Sequence, residues 1–376
     1  MSSTSNSVRG CIATPSGFID GSITIESGRI ASLVGKPVAE DYVLASGKPI
    51  VLPGFVDLHV HGGGGADVMD ASNAITKIAV MHAKHGTTSL LATTLTAPIK
   101  DLHRALSDLA IHASSDAAAG ARILGVHLEG PYINEKKLGA QPAFTRAFDI
   151  DEVAQLHRVF PIRLITLAPE IEGGIAAIGA LTQAGFRVQI GHSTASYEAA
   201  KAALDEGATG FTHLFNAMSG LHHRAPGVVG AALAHGRYAE IIPDLQHVHP
   251  GAIRVAMRAM ECLYCVTDST SAAGMPDGEY RLGPQTVTKC LGGVRLADGT
   301  LAGSTLTMDE AFRNLVNVLE LTLLNASKRV STYAADFLGL KDRGRIAKGA
   351  WADVVTLDKN LELSQVWVEG VEQRIS

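Results

Sequence analysis

The chain has 376 residues, 46% hydrophobic and 18% charged, with a formal net charge of -5. That length and balance suit one large soluble α/β domain beside a lesser one, and the acidic sign gives no electrostatic footprint for nucleic acid. An anionic small substrate stays open, because a local pocket can oppose the global sign. No apolar run reaches the 18 residues of a membrane span, and MSSTSNSVRG lacks the charged-then-apolar pattern of a secretory leader, so the sequence points to the cytoplasm and to no membrane partner. Of four cysteines, Cys262 and Cys265 form a C-x-x-C with no second pair, and Cys265, inside an apolar run, reads as core filler rather than a zinc or redox site.

Residues 8–50 alternate polar and apolar, and Ser27-Gly28 marks a turn. Residues 343–370 read the same way, rich in Val, Trp and alternation. Neither piece can bury a core alone. The expectation is a small β-sandwich built from both termini, 1–52 with 340–376, beside a main domain over 53–339.

Within 53–339 short apolar runs recur at Val56–Val60, Ser89–Thr93, Ile123–Leu128, Arg163–Leu167, Arg187–Ile190, Gly210–Leu214, Ala239–Ile242 and Leu263–Thr267. Amphipathic stretches separate them, among them Ala74–His85, Ile99–Ala113, Ile150–Val159, Ser196–Glu206 and Pro250–Met260. Runs that are apolar throughout suit strands buried on both faces. Eight β–α units in this length predict an α/β fold, a closed (β/α)8 barrel. An open doubly wound sheet would want G-x-G-x-x-G after its first strand, and Gly62–Gly65 lacks that spacing. Met275–Gly303 breaks the rhythm, with hairpin turns predicted at Asp277-Gly278 and Asp298-Gly299. Helices around Thr307–Glu320 and Ala326–Phe337 lead back to the terminal strands.

Chemistry collects at the ends of these strands. His59 and His61 are two apart, so on a strand they share a face, roughly 6–7 Å apart at the backbone, and both rings can reach one ion. Asp57 shares that face and could orient a ligand from behind. Glu129 follows the run ILGVHL, where an unpaired buried carboxylate would be costly. His127 shares its face and reads as a supporting or core histidine. His192 and His213 each close an apolar strand. One such histidine is ordinarily a satisfied core residue; two beside the strand-one pair point to a metal. Asp268 ends strand eight, where a carboxylate can take a proton from metal-activated water. His82, His85, His103, His112 and His157 lie on predicted helices and read as solvated.

The strings PGFVDLHVHGGGGADVMD, GVHLEGPYIN, TLAPE, IGHSTASYEAA, THLFNAMSGLHHRAPGVVGAAL, VTDSTSAAGMPDG, LAGSTLTMDEA and IAKGAWADVV run nearly end to end. Together they resemble the amidohydrolase superfamily and, within it, the N-acetylglucosamine-6-phosphate deacetylases. The resemblance implies hydrolysis of an N-acetyl group from a phosphorylated amino sugar. It implies a principal divalent metal on Glu129, His192 and His213, and a second on His59 and His61. Asp268, also close to the metal, would be the acid/base. Zinc leads, with iron, manganese or cobalt also suited to such ligands. Substrate contacts implied by motif are Gly139 and Ala140, the turn at Asn216 and Ala217, Arg224 on the phosphate across a homodimer interface, His247 on the carbonyl or sugar, and the loop Leu301, Ala302, Gly303 and Ser304. Relatives that bridge their metals with a carboxylated lysine carry it on strand four, and Arg163–Leu167 has none; Glu129 can bridge instead. Two departures stand out. Asp244-Leu245-Gln246-His247 is followed by His249, so either histidine could face the substrate. Gly139-Ala140-Gln141 replaces a Gly-Ala-His, which opens the sugar epimer and makes a galactosamine-6-phosphate the alternative. Deamination, hydrolysis of an N-acyl amino acid, and a non-catalytic metal-stabilised protein are the rivals.

Overall fold

The computed structural model describes residues 6–70, 74–113 and 119–375; positions 1–5 and 376, at the edges of the expected terminal domain, lie outside the described residues. Eight parallel strands occupy the apolar runs: Phe55–Val60, Thr87–Thr94, Arg122–Glu129, Ile162–Leu167, Arg187–Ile190, Gly210–Phe211, Tyr238–Ile241 and Cys262–Cys265. The first six pair in sequence order in one sheet, and the last two pair with each other. Backbone bonds close the ring. Leu214 N donates to Glu240 O at 2.9 Å between strands six and seven, and Asp268 N donates to His59 O at 2.9 Å between strands eight and one. All six residues of strand one and all eight of strand two are buried. Burial on both faces is the setting of a parallel barrel strand, and it takes in the polar residues of these two strands as well.

Helices alternate with the strands and shield the sheet. Ile99–Ala113 buries Leu102, Ala105, Leu106 and Leu109, the one-sided spacing its amphipathic pattern predicts. Tyr197–Asp205 starts where Ser196 accepts from Ala199 N, a side-chain cap. The insertion forms a three-stranded antiparallel sheet, Gly278–Leu282, Gln285–Cys290 and Gly293–Arg295. Its turns fall at Gly283-Pro284, at Leu291-Gly292 and, as predicted, at Asp298-Gly299, where Arg295 bridges Leu301; Asp277-Gly278 makes none, because Gly278 opens the first strand.

Both termini meet in one seven-stranded sheet, in the order Val371–Gln373, Leu363–Val368, Val354–Leu357, Ile50–Pro53, Asn6–Thr14, Gly17–Glu26, Arg29–Val38. Strand alternation gives it two buried faces. Val8 and Ile12 pack with Ile23, Val51, Val354 and Trp367 in a core of their own. Cys11 and Ala13, one step out of phase, join the core shared with the barrel. The sheet is thereby fastened to the barrel.

Candidate active site and metal centre

The strand ends turn sharply. His192, His213 and Asp268 have φ of 47, 28 and 51°, in the left-handed region that non-glycine residues rarely occupy. Such backbone is held by its surroundings and concentrates at functional sites. The turn at His213 also explains why strand six stops at Phe211, short of the predicted Leu214.

Glu129 is the hub. Its Oε1 lies 2.9 Å from His192 Nε2 and 2.9 Å from His213 Nε2. Its Oε2 lies 3.0 Å from His61 Nε2 and 3.3 Å from His59 Nε2. Asp268 Oδ1 faces the second pair, 3.3 Å from His59 and 3.4 Å from His61. Donor atoms of Glu129, His192 and His213 form one tight group, and those of His59, His61 and Asp268 another, each within 4.8 Å. All six side chains are buried.

The outer nitrogens reveal the protonation of three rings. His61 Nδ1 faces Thr93 O at 3.2 Å, His192 Nδ1 faces Lys137 O at 2.7 Å, and His59 Nδ1 faces Glu240 Oε2 at 2.9 Å. These oxygens only accept, so each Nδ1 donates and a neutral ring carries a bare lone pair at Nε2. Yet His59 Nε2 stands 3.2 Å from His61 Nε2, and His192 Nε2 stands 3.1 Å from His213 Nε2. The facing lone pairs of His59 and His61 repel unless a cation sits among them. Histidine nitrogens and carboxylate oxygens are the donors that zinc and similar divalent ions take. The residues therefore fit a metal centre whose two halves share Glu129.

Electrostatics agrees. Burial would lower the His61 pKa, but Asp268 and Glu129 outweigh it and hold it at about 9. Burial would raise the Asp268 pKa, but His59 and His61 pull it down to about 2. Burial likewise opposes ionisation of Glu129, and the facing imidazoles, His59 foremost, hold its pKa well below the carboxylate range. Without a metal the cluster holds protons in its place, so metal and proton compete.

Supporting residues differ from expectation in four places. Asp57 does not touch a ligand ring. Its Oδ1 accepts from His59 N and Thr267 N, both at 3.2 Å, and its Oδ2 accepts from Thr267 Oγ1 at 2.6 Å, locking the backbones of strands one and eight together. Burial raises its pKa to about 7. The ring of His59 is held instead by Glu240 of strand seven, which the motifs do not mark. His82 is fully buried rather than solvated; its Nε2 lies 3.0 Å from Gly62 O and 3.2 Å from Ser269 Oγ, tying the loop after His61 to the turn after Asp268. His127 spends both nitrogens on Leu58 O (3.1 Å) and Thr166 Oγ1 (2.8 Å), which leaves none for an ion. Gln141 Nε2 donates to Glu129 Oε2 at 2.6 Å while its Oε1 accepts from Thr96 N at 2.7 Å, another contact the sequence did not announce.

The centre opens into a cavity of about 330 Å³. Its walls include Gly139, Ala140, Asn216, Ala217, His247, Leu301 and Gly303 from the expected substrate contacts. Ala302 and Ser304 are buried behind it, where Ser304 N donates to Asp268 O at 2.8 Å and buttresses that turn. His247, with Nδ1 2.6 Å from Asp244 Oδ2, lines the cavity, whereas exposed His249 accepts from Gly251 N and caps the helix Pro250–Ala259. Arg224 is exposed and outside the cavity of its own chain, 2.7 Å from His223 Nε2. Lys136 and Lys137 line the wall and bring positive charge that no motif signalled.

Residues 50–372 match the profile of the amidohydrolase family. The chain is 41% identical over 367 residues to the N-acetylgalactosamine-6-phosphate deacetylase of Escherichia coli O157:H7, covering 96% of each protein. It is 39% identical over 357 residues to the N-acetylglucosamine-6-phosphate deacetylase of Lysinibacillus sphaericus, covering 93% of this chain and 92% of that one. A mutant of the Mycobacterium smegmatis N-acetyl-D-glucosamine-6-phosphate deacetylase, solved in complex with N-acetyl-D-glucosamine-6-phosphate, superposes with a TM-score of 0.88 at 34% identity, over 98% of this chain and 99% of that one. D-hydantoinase, at 16% identity and a TM-score of 0.63, shares the fold alone. Profile, relatives and barrel agree: the chain belongs to the amidohydrolase family, and it is a metal-dependent hydrolase of amide bonds.

Proposed function

We propose that the protein removes the N-acetyl group of N-acetylglucosamine-6-phosphate, giving glucosamine-6-phosphate and acetate. The observation that carries the reading is the shared carboxylate of Glu129, meeting two histidine pairs with Asp268 beside one of them, at the floor of a sugar-sized cavity. The relatives named above supply the substrate class. Two divalent ions, zinc foremost, would be held by Glu129, His192 and His213 and by His59, His61 and Asp268. When bound, they supply Lewis acidity and lower the pKa of water towards neutrality.

The chain's own residues do the rest. Asp268, ionised at any physiological pH, takes the proton of the attacking water and returns it to the leaving amine. His247 donates towards the developing oxyanion; burial would lower its pKa, but Asp244 outweighs that and raises it. Gly139, Ala140, Asn216, Ala217 and the loop Leu301–Ser304 shape the sugar pocket. Lys136 meets the phosphate from within, and Arg224 reaches it from a second copy, so the working form is a homodimer in the cytoplasm. An arginine fork suits phosphate because its contacts are bidentate and always charged. Catalysis belongs to 53–339, with 1–52 and 340–376 as the supporting domain. Among the described residues no helix is long and apolar enough to cross a membrane.

A second reading, N-acetylgalactosamine-6-phosphate as substrate, is favoured by the 41% relative. Acetate release from both epimers and from the unphosphorylated sugars, on protein of known metal content, separates the two. Strong preference for one phosphorylated sugar, lost on chelation, is expected; no release from any sugar by metal-loaded protein overturns the substrate assignment.

A further inference from the structure

Three ligand rings are oriented through Nδ1, but not equally. His61 and His192 donate to neutral backbone carbonyls, of Thr93 and Lys137. His59 donates to a full carboxylate. Glu240 is wholly buried on strand seven, with Oε2 2.9 Å from His59 Nδ1. The same oxygen accepts from His213 N at 3.1 Å, and among the described residues Oε1 has no hydrogen-bond partner. A buried carboxylate without a cationic partner is expensive, and a structural one would be paired with Arg or Lys. No such cation contacts Glu240 among the described residues; the titratable groups that face it are His59, His127 and the Tyr264 hydroxyl.

We infer that Glu240 is a positioning residue for the His59–His61–Asp268 half of the centre and sets the affinity of that half for its ion. Accepting the Nδ1 hydrogen fixes the ring's tautomer and aims the Nε2 lone pair at the site. The negative charge makes that nitrogen more electron-rich than its carbonyl-backed neighbours, and so a stronger metal ligand. By also holding His213 N, one oxygen sets the spacing between a ligand of each half. The inference rests on the two-ion reading above, and its test does not use the sugar.

The test is zinc titration against a competing chelator on the full chain, comparing wild type, Glu240→Gln and Glu240→Ala. Wild type should take up two equivalents. Glu240→Gln keeps the volume and an acceptor oxygen but loses the charge; one equivalent should weaken about 10-fold while the other stays within about 2-fold. Glu240→Ala should weaken the same equivalent about 100-fold, the range expected for a partner behind a metal ligand. Identical titrations, equal weakening of both equivalents, or a wild type that binds one ion would each overturn the inference. If Glu240→Ala fails to fold, Glu240→Gln decides alone. A lack of deacetylase activity with these titrations intact would count against the substrate, not against Glu240.

Discussion

Two clusters of buried charge are wired in opposite ways. Between terminal sheet and barrel, Arg343 donates to Asp353 and Glu369, and Arg122 Nε adds a bond to Glu369 Oε2 at 2.8 Å. There the charges cancel within the chain. At the strand ends, Glu129 and Asp268 face imidazoles whose inner nitrogens point at one another. That cluster is balanced only by something from outside. Complete pairing holds a fold together; converging, uncancelled donors make a receptor for a cation.

The contrast breaks first at Asp268. Asp268→Asn keeps an oxygen for the ion but removes the proton acceptor, so turnover on the preferred phosphorylated sugar should fall roughly 10²- to 10⁴-fold. Zinc content, measured by mass spectrometry, should hold. Near-normal turnover would remove Asp268 from the acid/base role. The opposite signature is expected at the other cluster. Arg343→Met leaves Asp353 buried and unpaired, at a cost of about 3 kcal/mol, the lower end of the usual range. Burial already raises the Asp353 pKa, so the orphaned acid can take up a proton. Urea unfolding reads the loss, and zinc stoichiometry should not move; a loss of zinc in folded Arg343→Met would mean the two clusters are coupled.

Sequence and structure agree best where chemistry and periodicity coincide. His59, His61, Glu129, His192, His213 and Asp268 end runs whose burial dictates strand, and they converge because barrel strands present their ends to one place. Glu240, Gln141, Lys136 and Lys137 were silent for a different reason. Glu240 sits inside the strand Tyr238–Ile241, where a single carboxylate looks like an interruption until its strand-one partner is known. Gln141 reaches Glu129 across a loop, a contact that no spacing encodes. His82 was misread because Ala74–Lys84 buries most of one side and the sequence cannot say how far that side extends. Arg224 remains placed only by its motif, since nothing within one chain brings it to the cavity.

His82 offers a smaller test, of stability rather than chemistry. Burial lowers its pKa from 6.5 to about 4, so the ring stays neutral in the fold while the unfolded chain binds a proton below about pH 6.5. The unfolded state therefore holds the extra proton between those values, and stability falls as pH drops from 6.5 towards 4. His82→Gln, which keeps a donor for Gly62 O, removes that slope. Between pH 7.5 and 5, wild type should lose about 2 kcal/mol more than the variant in urea unfolding with chelator present. Equal losses would show that the ring is not shielded as its burial indicates.

Gln141 separates two meanings of the same departure from pattern. If the Gly139–Gln141 turn reads the sugar, replacing the glutamine should change the choice of epimer. But both ends of the amide are engaged, with Thr96 N on one side and Glu129 Oε2 on the other. Its geometry makes it a strut for the shared carboxylate. Gln141→Leu should weaken zinc about 10-fold and move the ratio of kcat/KM between the two phosphorylated epimers by less than about 3-fold. A ratio that shifts more than about 10-fold, about 1.4 kcal/mol of discrimination, with zinc affinity intact, would make the glutamine a reader of the sugar. Epimer choice would then lie in the loop beside the metal. On the expected outcome it lies in the walls that Asn216, Ala217 and His247 provide.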